Sequence, residues 1–393
     1  MAIKPIDKGG GKWLIRVSCG YENGQKRMIK RTIQLDPSMT KNAQLKEAEK
    51  QTALIMAEYE AGKVACSKRM TVRELSEMWM ESYIKPRNLS PKTVYGYQYL
   101  LESRIIPRLG RAYVQDVRPA LLNRFYASMR NEKTTHTKSG HLSGTTQKRY
   151  HQVLNSMFTC AVRWQIIAVN PVTAIEPPRA DTKEITPYTA EQSLLLLEAL
   201  EGEMKLWKAV VYVALYAQLR RGEIAALDWS CVDLDNGEIN TKQSAIYIPG
   251  EGTTIKKPKT KASNRSVSVP QCVVDALRDW KKEQAAVRLM AGEEWRECGA
   301  VFTNEYGERL HVDSITKWFD RFLARNNLPR IRLHDLRHTG ASLLISAGMD
   351  IETVKNRLGH SRASTTMDIY GHAYKENDKK AANALDTILS KKA

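Results

Sequence analysis

The chain opens with two β-rich runs, "KWLIRVSCG" and "KRMIKRTIQL", that flank "YENGQ". Asn-Gly between two such runs is the strongest short-range signal for a hairpin. The pattern then changes period. In "NAQLKEAEKQTALIMAEYEAGK", Leu45, Ala48, Thr52, Ile55 and Tyr59 fall on one helical face that ends near Gly62.

The next segment is helical. "TVRE" at 71 to 74 has the form of a capping box, and Val72, Leu75 and Trp79 follow on one face. "LSPKTVYGYQYLLESRIIPRLG" starts a helix with Ser90 as cap and Pro91 in its first turn. "LLNRFYASMR" and "TTQKRYHQVLNSMFTCAVRWQIIAVNP" predict two more, the last running to Asn170-Pro171. The proline- and charge-rich "EPPRADTKEITPYT" reads as a linker.

Beyond it, "AEQSLLLLEALEG" and "WKAVVYVALYAQLRRGEIAALDW" are helical, "DLDNGEIN", "SAIYIPG" and "NRSVSVP" are short strands, and the chain from "QCVVDALRDWKKEQ" onward is helical by periodicity. The expected fold is multidomain. Residues 1–65 form a small β-hairpin and helix domain, 70–178 an α-helical domain, and 185–375 a mostly α domain with a small antiparallel β-sheet. Residues 376–393 form a tail helix with Ala382, Leu385, Ile388 and Leu389 on one face, a stripe that needs a groove in its own or a neighbouring copy.

Charge sharpens this division. Of the formal +18, residues 1–69 carry 14 basic and 7 acidic side chains, 70–180 carry 16 and 7, and 181–393 carry 31 and 29. The excess sits in the first 180 residues and suits a polyanion such as nucleic acid. Lys12, Arg16, Lys26, Arg27, Lys30 and Arg31 stud the hairpin, and Lys92, Arg104, Lys148 and Arg149 stud the helices; these are the candidate DNA contacts. No run is apolar for long enough to span a membrane, and the start has no signal-peptide core, so a soluble cytoplasmic protein with no membrane partner is expected. The six cysteines are far apart and fit neither disulfides nor a zinc site; buried small side chains are expected. Nucleotide-binding glycine loops and common metal motifs do not occur, so no cofactor and no metal ligand are assigned.

Three pieces carry unusual polar content in apolar surroundings: "YAQLRRGEIAALDW", "LHDLRHTGASLLISAG" and "VKNRLGHSRASTTMDIYGHAY". Each has an ordinary reading alone, because ion-pair networks imitate active sites. Together they suit phosphoryl transfer without a metal. Two arginines hold the nonbridging oxygens, histidines donate and accept protons, a positioned tyrosine is the covalent nucleophile, and a lysine from "IKKPKTKASNRSVSVP" protonates the departing oxygen.

In order and spacing, "QLRRGE", "HDLRH" and "LGHSRASTTMDIYGH" resemble the signature boxes of the tyrosine recombinases, the phage-type integrases. The resemblance implies Arg220, His334, Arg337 and His360 around the scissile phosphate and Tyr370 as nucleophile. It also implies Lys259 as general acid, with Lys256, Lys257 and Lys261 as rivals, and Glu223 as a buried partner that orients an arginine. Arg221 is expected to meet backbone phosphate or solvent, and His338 and His372 to support their neighbours. Where the family has glycine this chain has Gln218, which implies a conventional backbone or an outward amide.

Residues 70–178 further resemble the family's core-site-binding domain, and 1–65 its arm-site-binding domain. The implied activity is that of a mobile-element integrase or excision recombinase working through a 3′-phosphotyrosyl intermediate and a four-way junction, without metal or ATP. The implied partners are double-stranded DNA at core and arm sites and further copies of the chain. The expected assembly is a homotetramer on DNA and a monomeric or weakly associating state when free, in a bacterial cytoplasm at the nucleoid. An excisionase or a host DNA-bending protein is the accessory such a system would use. A type IB topoisomerase would use the same polar groups, but it lacks the L-G-H box and this helical domain. A DNA-binding regulator would explain the charge and not the constellation.

Overall fold

The computed structural model describes residues 2–22, 25–60, 69–133, 140–179, 187–256, 264–360 and 390. The chain divides into two compact units, Met1–Thr182 and Lys183–Ala393, with the division inside the proline- and charge-rich stretch.

In the first unit, β1 (Ala2–Asp7), β2 (Lys12–Glu22) and β3 (Gln25–Gln34) form an antiparallel sheet in sequence order, followed by α1 (Lys41–Glu60). Trp13, Ile15 and Val17 alternate along β2 and are buried, Ile15 and Val17 against Ile55 of α1. Each such side chain contributes roughly 1.5–3 kcal/mol on burial. The Trp13 indole N–H donates to Gln44 Oε1 at 3.0 Å, which pins the sheet to the helix. Register sorts the basic candidates: Arg16 faces Lys30 and Lys12 faces Gln34, whereas Arg31 faces Ile15. Lys12, Arg16 and Lys30 therefore share the face turned away from α1, and Arg31 is on the other. The side chains of Lys26 and Arg27 lie outside the described residues.

The helical segment comprises α2 (Val72–Trp79), α3 (Pro91–Leu100), α4 (Ile106–Leu109), α5 (Pro119–Asn131) and α6 (Gly144–Arg163). The Thr71–Glu74 capping box and the Ser90 cap form as the sequence predicts. Val72, Leu75 and Trp79 enter a core with Phe125, Tyr150, Leu154 and Phe158. Two expectations change here. α6 stops at Arg163, not at Asn170-Pro171, because Gln165 turns left-handed at φ 57° and Asn170 folds back to donate to Asn155 Oδ1 at 2.8 Å. Arg104 is no free DNA contact: its side chain is only 14% exposed and its guanidinium donates to both Glu132 oxygens and to the Tyr150 hydroxyl, each at 3.0 Å. Lys92, Lys148 and Arg149 are exposed.

The second unit contains α7 (Ala190–Ala199), α8 (Lys205–Tyr216), α9 (Arg221–Ala225), α10 (Gln271–Ala291), α11 (Val312–Arg325), α12 (Leu333–Ser346) and α13 (Ile351–Leu358). β4 (Val232–Asp233), β5 (Glu238–Thr241) and β8 (Arg265–Ser268) pair antiparallel in that order, and β6 (Ser244–Ile248) pairs separately with β7 (Gly252–Lys256). The β7 strand was not evident in the sequence. Helix α8 is buried along most of its length and packs on α10 and α12. Residues 295–311 are not helical, contrary to the periodicity. Gly299 and Gly307 take positive φ, and bridges Asp228–Ala300 and Thr303–Arg309 organise the segment instead. The cysteine expectation also fails in part: Cys160 and Cys231 are buried, but Cys19 is half-buried and Cys272 and Cys298 are exposed. Cys272 sits on the outer side of the first turn of α10, and Cys298 in the irregular segment.

Two glycines permit close approach around the end of α8. A Cβ at Gly222 would meet Ser244 Oγ at 2.5 Å, and one at Gly340 would meet the Leu215 carbonyl oxygen at 2.4 Å. Gly222 lets α9 lie on β6, and Gly340 lets α12 lie on the turn that leaves α8.

Candidate active site

The chain reverses between α8 and α9 within four residues, and Gln218 makes that reversal possible. Its φ is 54°, in the left-handed region, and its side chain is 1% exposed. Both expectations for this residue are corrected, since the backbone is not conventional and the amide does not face out. Left-handed backbone costs a non-glycine residue roughly 1–2 kcal/mol, and tertiary closure against α12 enforces it here. The Gln218 side chain lies where a Gly340 Cβ would meet its Nε2 at 2.9 Å, and its Oε1 has no hydrogen-bond partner among the described residues.

The same turn presents a carbonyl to Arg337. From the first turns of α12, Arg337 reaches back 1% exposed, and its Nη1 donates to the Gln218 carbonyl at 2.6 Å while Nη2 donates to the Leu358 carbonyl. Gln218 precedes Arg220 by two residues, and Leu358 precedes His360 by two. One guanidinium thus fixes both neighbouring boxes by charge-assisted hydrogen bonds.

Arg220 caps α9 and is half-exposed. Its Nη1 donates to Glu223 Oε1 at 2.8 Å and its Nη2 to the Gly359 carbonyl at 3.3 Å. Glu223, 6% exposed, also receives Arg265, whose Nη2 donates to Oε2 at 3.1 Å. The two guanidiniums overcome the burial that would otherwise raise the Glu223 pKa, and hold the carboxyl below its ordinary range. Arg221 differs from expectation: it is held by Asp313 and Thr316, each at 2.9 Å, and does not point freely to solvent.

The histidines line the same region. His334, on the first turn of α12, faces solvent, and its ring packs edge-on to buried His338 with centroids 5.0 Å apart. Crowding by protein, then the positive charge of Arg337, lowers the His334 pKa; Arg220 adds to the effect. His360 follows Gly359, whose left-handed φ of 62° ends α13. Burial, Arg337 and Arg220 push His360 down to about 4, and burial with His334 pushes His338 down to about 4. All three rings are neutral near neutral pH, so each offers one donor and one acceptor nitrogen. Arg220, Arg265 and Arg337 outnumber Glu223, and the N-terminus of α12 adds a positive end. The chemical consequence is a site that receives an anion and moves protons beside it.

Arg265 escaped the sequence reading. It shares the inward face of β8 with Val267 at period two, and that alternation was the available signal. Lys256 ends β7 half-exposed, and β8 begins at Arg265. The expected Lys259, its rivals Lys257 and Lys261, the expected nucleophile Tyr370, His372 and, apart from Ser390, the tail 376–393 lie outside the described residues. Among the described residues no cluster of three or more His, Cys, Asp or Glu is arranged to hold a metal ion, and no helix is long and apolar enough to cross a membrane.

Comparison with known proteins gives the family. Residues 188–377 match the phage integrase family, and residues 71–130 match the phage integrase N-terminal SAM-like domain. The ICEBs1 integrase of Bacillus subtilis is 30% identical over 251 residues, spanning 63% of this chain and 67% of that protein. The fold is that of the Tn1549 transposon integrase solved with transposon right-end DNA: TM-score 0.67, 21% identity, 80% of this chain and 99% of that one. A lambda integrase tetramer solved on a Holliday junction gives TM-score 0.54 at 14% identity, over 92% of this chain and 94% of that one. With Arg220, His334, Arg337 and His360 gathered in one cationic site and its relatives integrases of mobile elements, the chain belongs to the phage integrase family of tyrosine recombinases and is a site-specific DNA strand-cleaving and rejoining enzyme.

Proposed function

We propose that Tyr370 attacks a DNA phosphodiester held by Arg220 and Arg337, with His334 and His360 as proton-handling donors and acceptors and Lys259 as general acid. The observation that carries this reading is the convergence of Arg220, His334, Arg337 and His360, brought from three distant chain segments into one positively charged site. In the step, the Tyr370 Oη–P bond forms and the P–O5′ bond breaks. The phenolic proton passes to a histidine, and Lys259 gives one to the departing 5′ oxygen. A 3′-phosphotyrosyl ester remains, and its bond energy lets a partner strand's 5′-hydroxyl reverse the chemistry without ATP. Charge gathering on the nonbridging oxygens is what the two guanidiniums stabilise, in surroundings drier than bulk water.

The substrate is double-stranded DNA. The helical segment reads the core site, with Lys92, Lys148 and Arg149 as phosphate contacts. The hairpin reads a second, arm-type site through the Lys12, Arg16 and Lys30 face. Exchange between two duplexes calls for four copies, and the tetramer of the lambda enzyme on a Holliday junction supports that assembly. Free in solution the chain is monomeric or weakly associated, and an excisionase or a DNA-bending protein sets direction.

Single-turnover cleavage of a nicked core-site duplex tests the chemistry. Arg220→Ala is expected to slow cleavage by about a hundredfold or more, as loss of one oxyanion donor does elsewhere, and EDTA is expected to leave the rate unchanged. Cleavage unaffected by the substitution, or abolished by the chelator, would overturn the scheme.

A further inference from the structure

We infer that Arg265 is a positioning residue for the strand-cleavage reaction, a strut that holds Arg220 through Glu223 and holds His360 through the end of α13. The inference rests on the recombinase reading of Arg220 and His360 given above. Arg265 is outside the three boxes that named the arginines and histidines of the site, in the stretch that supplied the candidate lysine. Its side chain, 7% exposed, is engaged at all three nitrogens by protein acceptors, which fits a positioning role. Its donors are directed three ways. Nε donates to the Arg357 carbonyl at 2.7 Å, Nη2 donates to Glu223 Oε2 at 3.1 Å, and Nη1 lies 3.3 Å from both Glu223 Oε1 and Thr241 Oγ1.

Two of these acceptors, Glu223 and the Arg357 carbonyl, lead to the reacting region. Glu223 uses Oε1 to hold the Arg220 guanidinium and Oε2 to accept from the Arg220 backbone N–H at 2.9 Å. The carboxylate is therefore saturated on both oxygens and fixed from both sides, and it fixes the Arg220 fork in turn. The Arg357 carbonyl lies in the last turn of α13, three residues before His360, and the next carbonyl, Leu358, is the one Arg337 holds. Arg265 and Arg337 thus grip successive carbonyls of the turn that delivers His360. Arg265 also opens β8, immediately after the segment carrying Lys259. A single buried guanidinium joins the chain on which the proton donor is expected to the arginine and histidine boxes.

Shape matters more than charge in this arrangement. A lysine would keep a cation beside Glu223 but could not reach the Arg357 carbonyl and both carboxylate oxygens at once. The charged groups facing Glu223 are Arg220 from the start of α9 and Arg265 from β8. Without Arg265, burial weighs more heavily on the carboxyl, which then takes up a proton at higher pH and releases Arg220.

The test uses the full-length chain and single-turnover cleavage of a nicked core-site duplex across a pH series, with core-site binding measured alongside. Arg265→Met is expected to bind DNA normally and to cleave at least about thirtyfold more slowly. Its rate should also acquire a new dependence on pH, falling as pH is lowered, that is absent from the parent. Adding Glu223→Gln should remove that new limb, because no carboxyl remains to titrate. Arg265→Lys, which keeps the charge, should be slow by about tenfold or more without the new limb. Arg265→Met that cleaves like the parent, or is slow with an unaltered pH profile, would overturn the strut. If Arg265→Met fails to bind DNA, Arg265→Lys decides alone, and its cleaving like the parent would overturn the strut. Arg220→Ala run in parallel separates the two levels: full activity there sinks the catalytic reading itself, whatever Arg265 does.

Discussion

Arg337→Lys is expected to lower strand cleavage by about a hundred- to a thousandfold while core-site DNA remains bound. Arg337 is almost wholly buried and makes two backbone hydrogen bonds that diverge, to Gln218 before the Arg220 box and to Leu358 before the His360 box. A lysine ammonium at that depth satisfies one carbonyl and strands the other, an unmade buried bond that costs roughly 1–3 kcal/mol. The larger loss lies in geometry. Arg220 and His360 are each two residues from a carbonyl that Arg337 holds, and small displacements of a reacting constellation lower rates steeply. Single-turnover cleavage with binding measured separately checks this, and a cleavage rate within a few-fold of the parent would contradict it.

Glu223→Ala is expected to destabilise the fold by about 3–5 kcal/mol, the usual consequence of removing one partner of a buried ion pair. The side chains of Glu223 and Arg265 are each 7% exposed, and Arg220 shares the same carboxylate. Removing the carboxylate leaves Arg265 charged and buried without a counterion, beside a second cation. Glu223→Gln keeps two hydrogen-bonding atoms and should lose less. Denaturant unfolding of both variants reads the difference, and equal midpoints for Glu223→Ala and the parent would show that the pair carries no net stability.

Much of the site was legible in the sequence because its chemistry lies in short runs: "QLRRGE", "HDLRH" and "RLGH" each place a charged or titratable side chain at a helix end, where spacing alone sets the face. Arg265 was not legible in the same way. Its role depends on standing beside Glu223, 42 positions away, and only its alternation with Val267 hinted that it points inward. Gln218 misled for a related reason. A left-handed glutamine depends on how α8 meets α12 at Gly340, which no local preference encodes.

In the helical segment the apolar pattern continued past the true end of α6, because Ile166 and Ile167 are buried from a turn and not from a helix. Burial without a helix also explains residues 295–311. Val301 and Phe302 are core residues there, and the Val301 carbonyl accepts the Trp280 indole N–H at 2.6 Å. Hydrophobic periodicity reports which residues are inside, and where backbone hydrogen bonds are made by side chains and bridges it loses the element type. Arg104 shows the converse: a basic residue in a basic segment, taken up by Glu132.

The most direct test of the central claim is chemical. The full-length chain is trapped on a nicked core-site duplex, the denaturant-resistant adduct is digested, and the nucleotide-bearing peptide is sequenced by mass spectrometry. The expected result is a single linkage, a phosphodiester on Tyr370 within "TTMDIYGH". A linkage on any other residue, or a cleaved duplex with no covalent adduct, would contradict it.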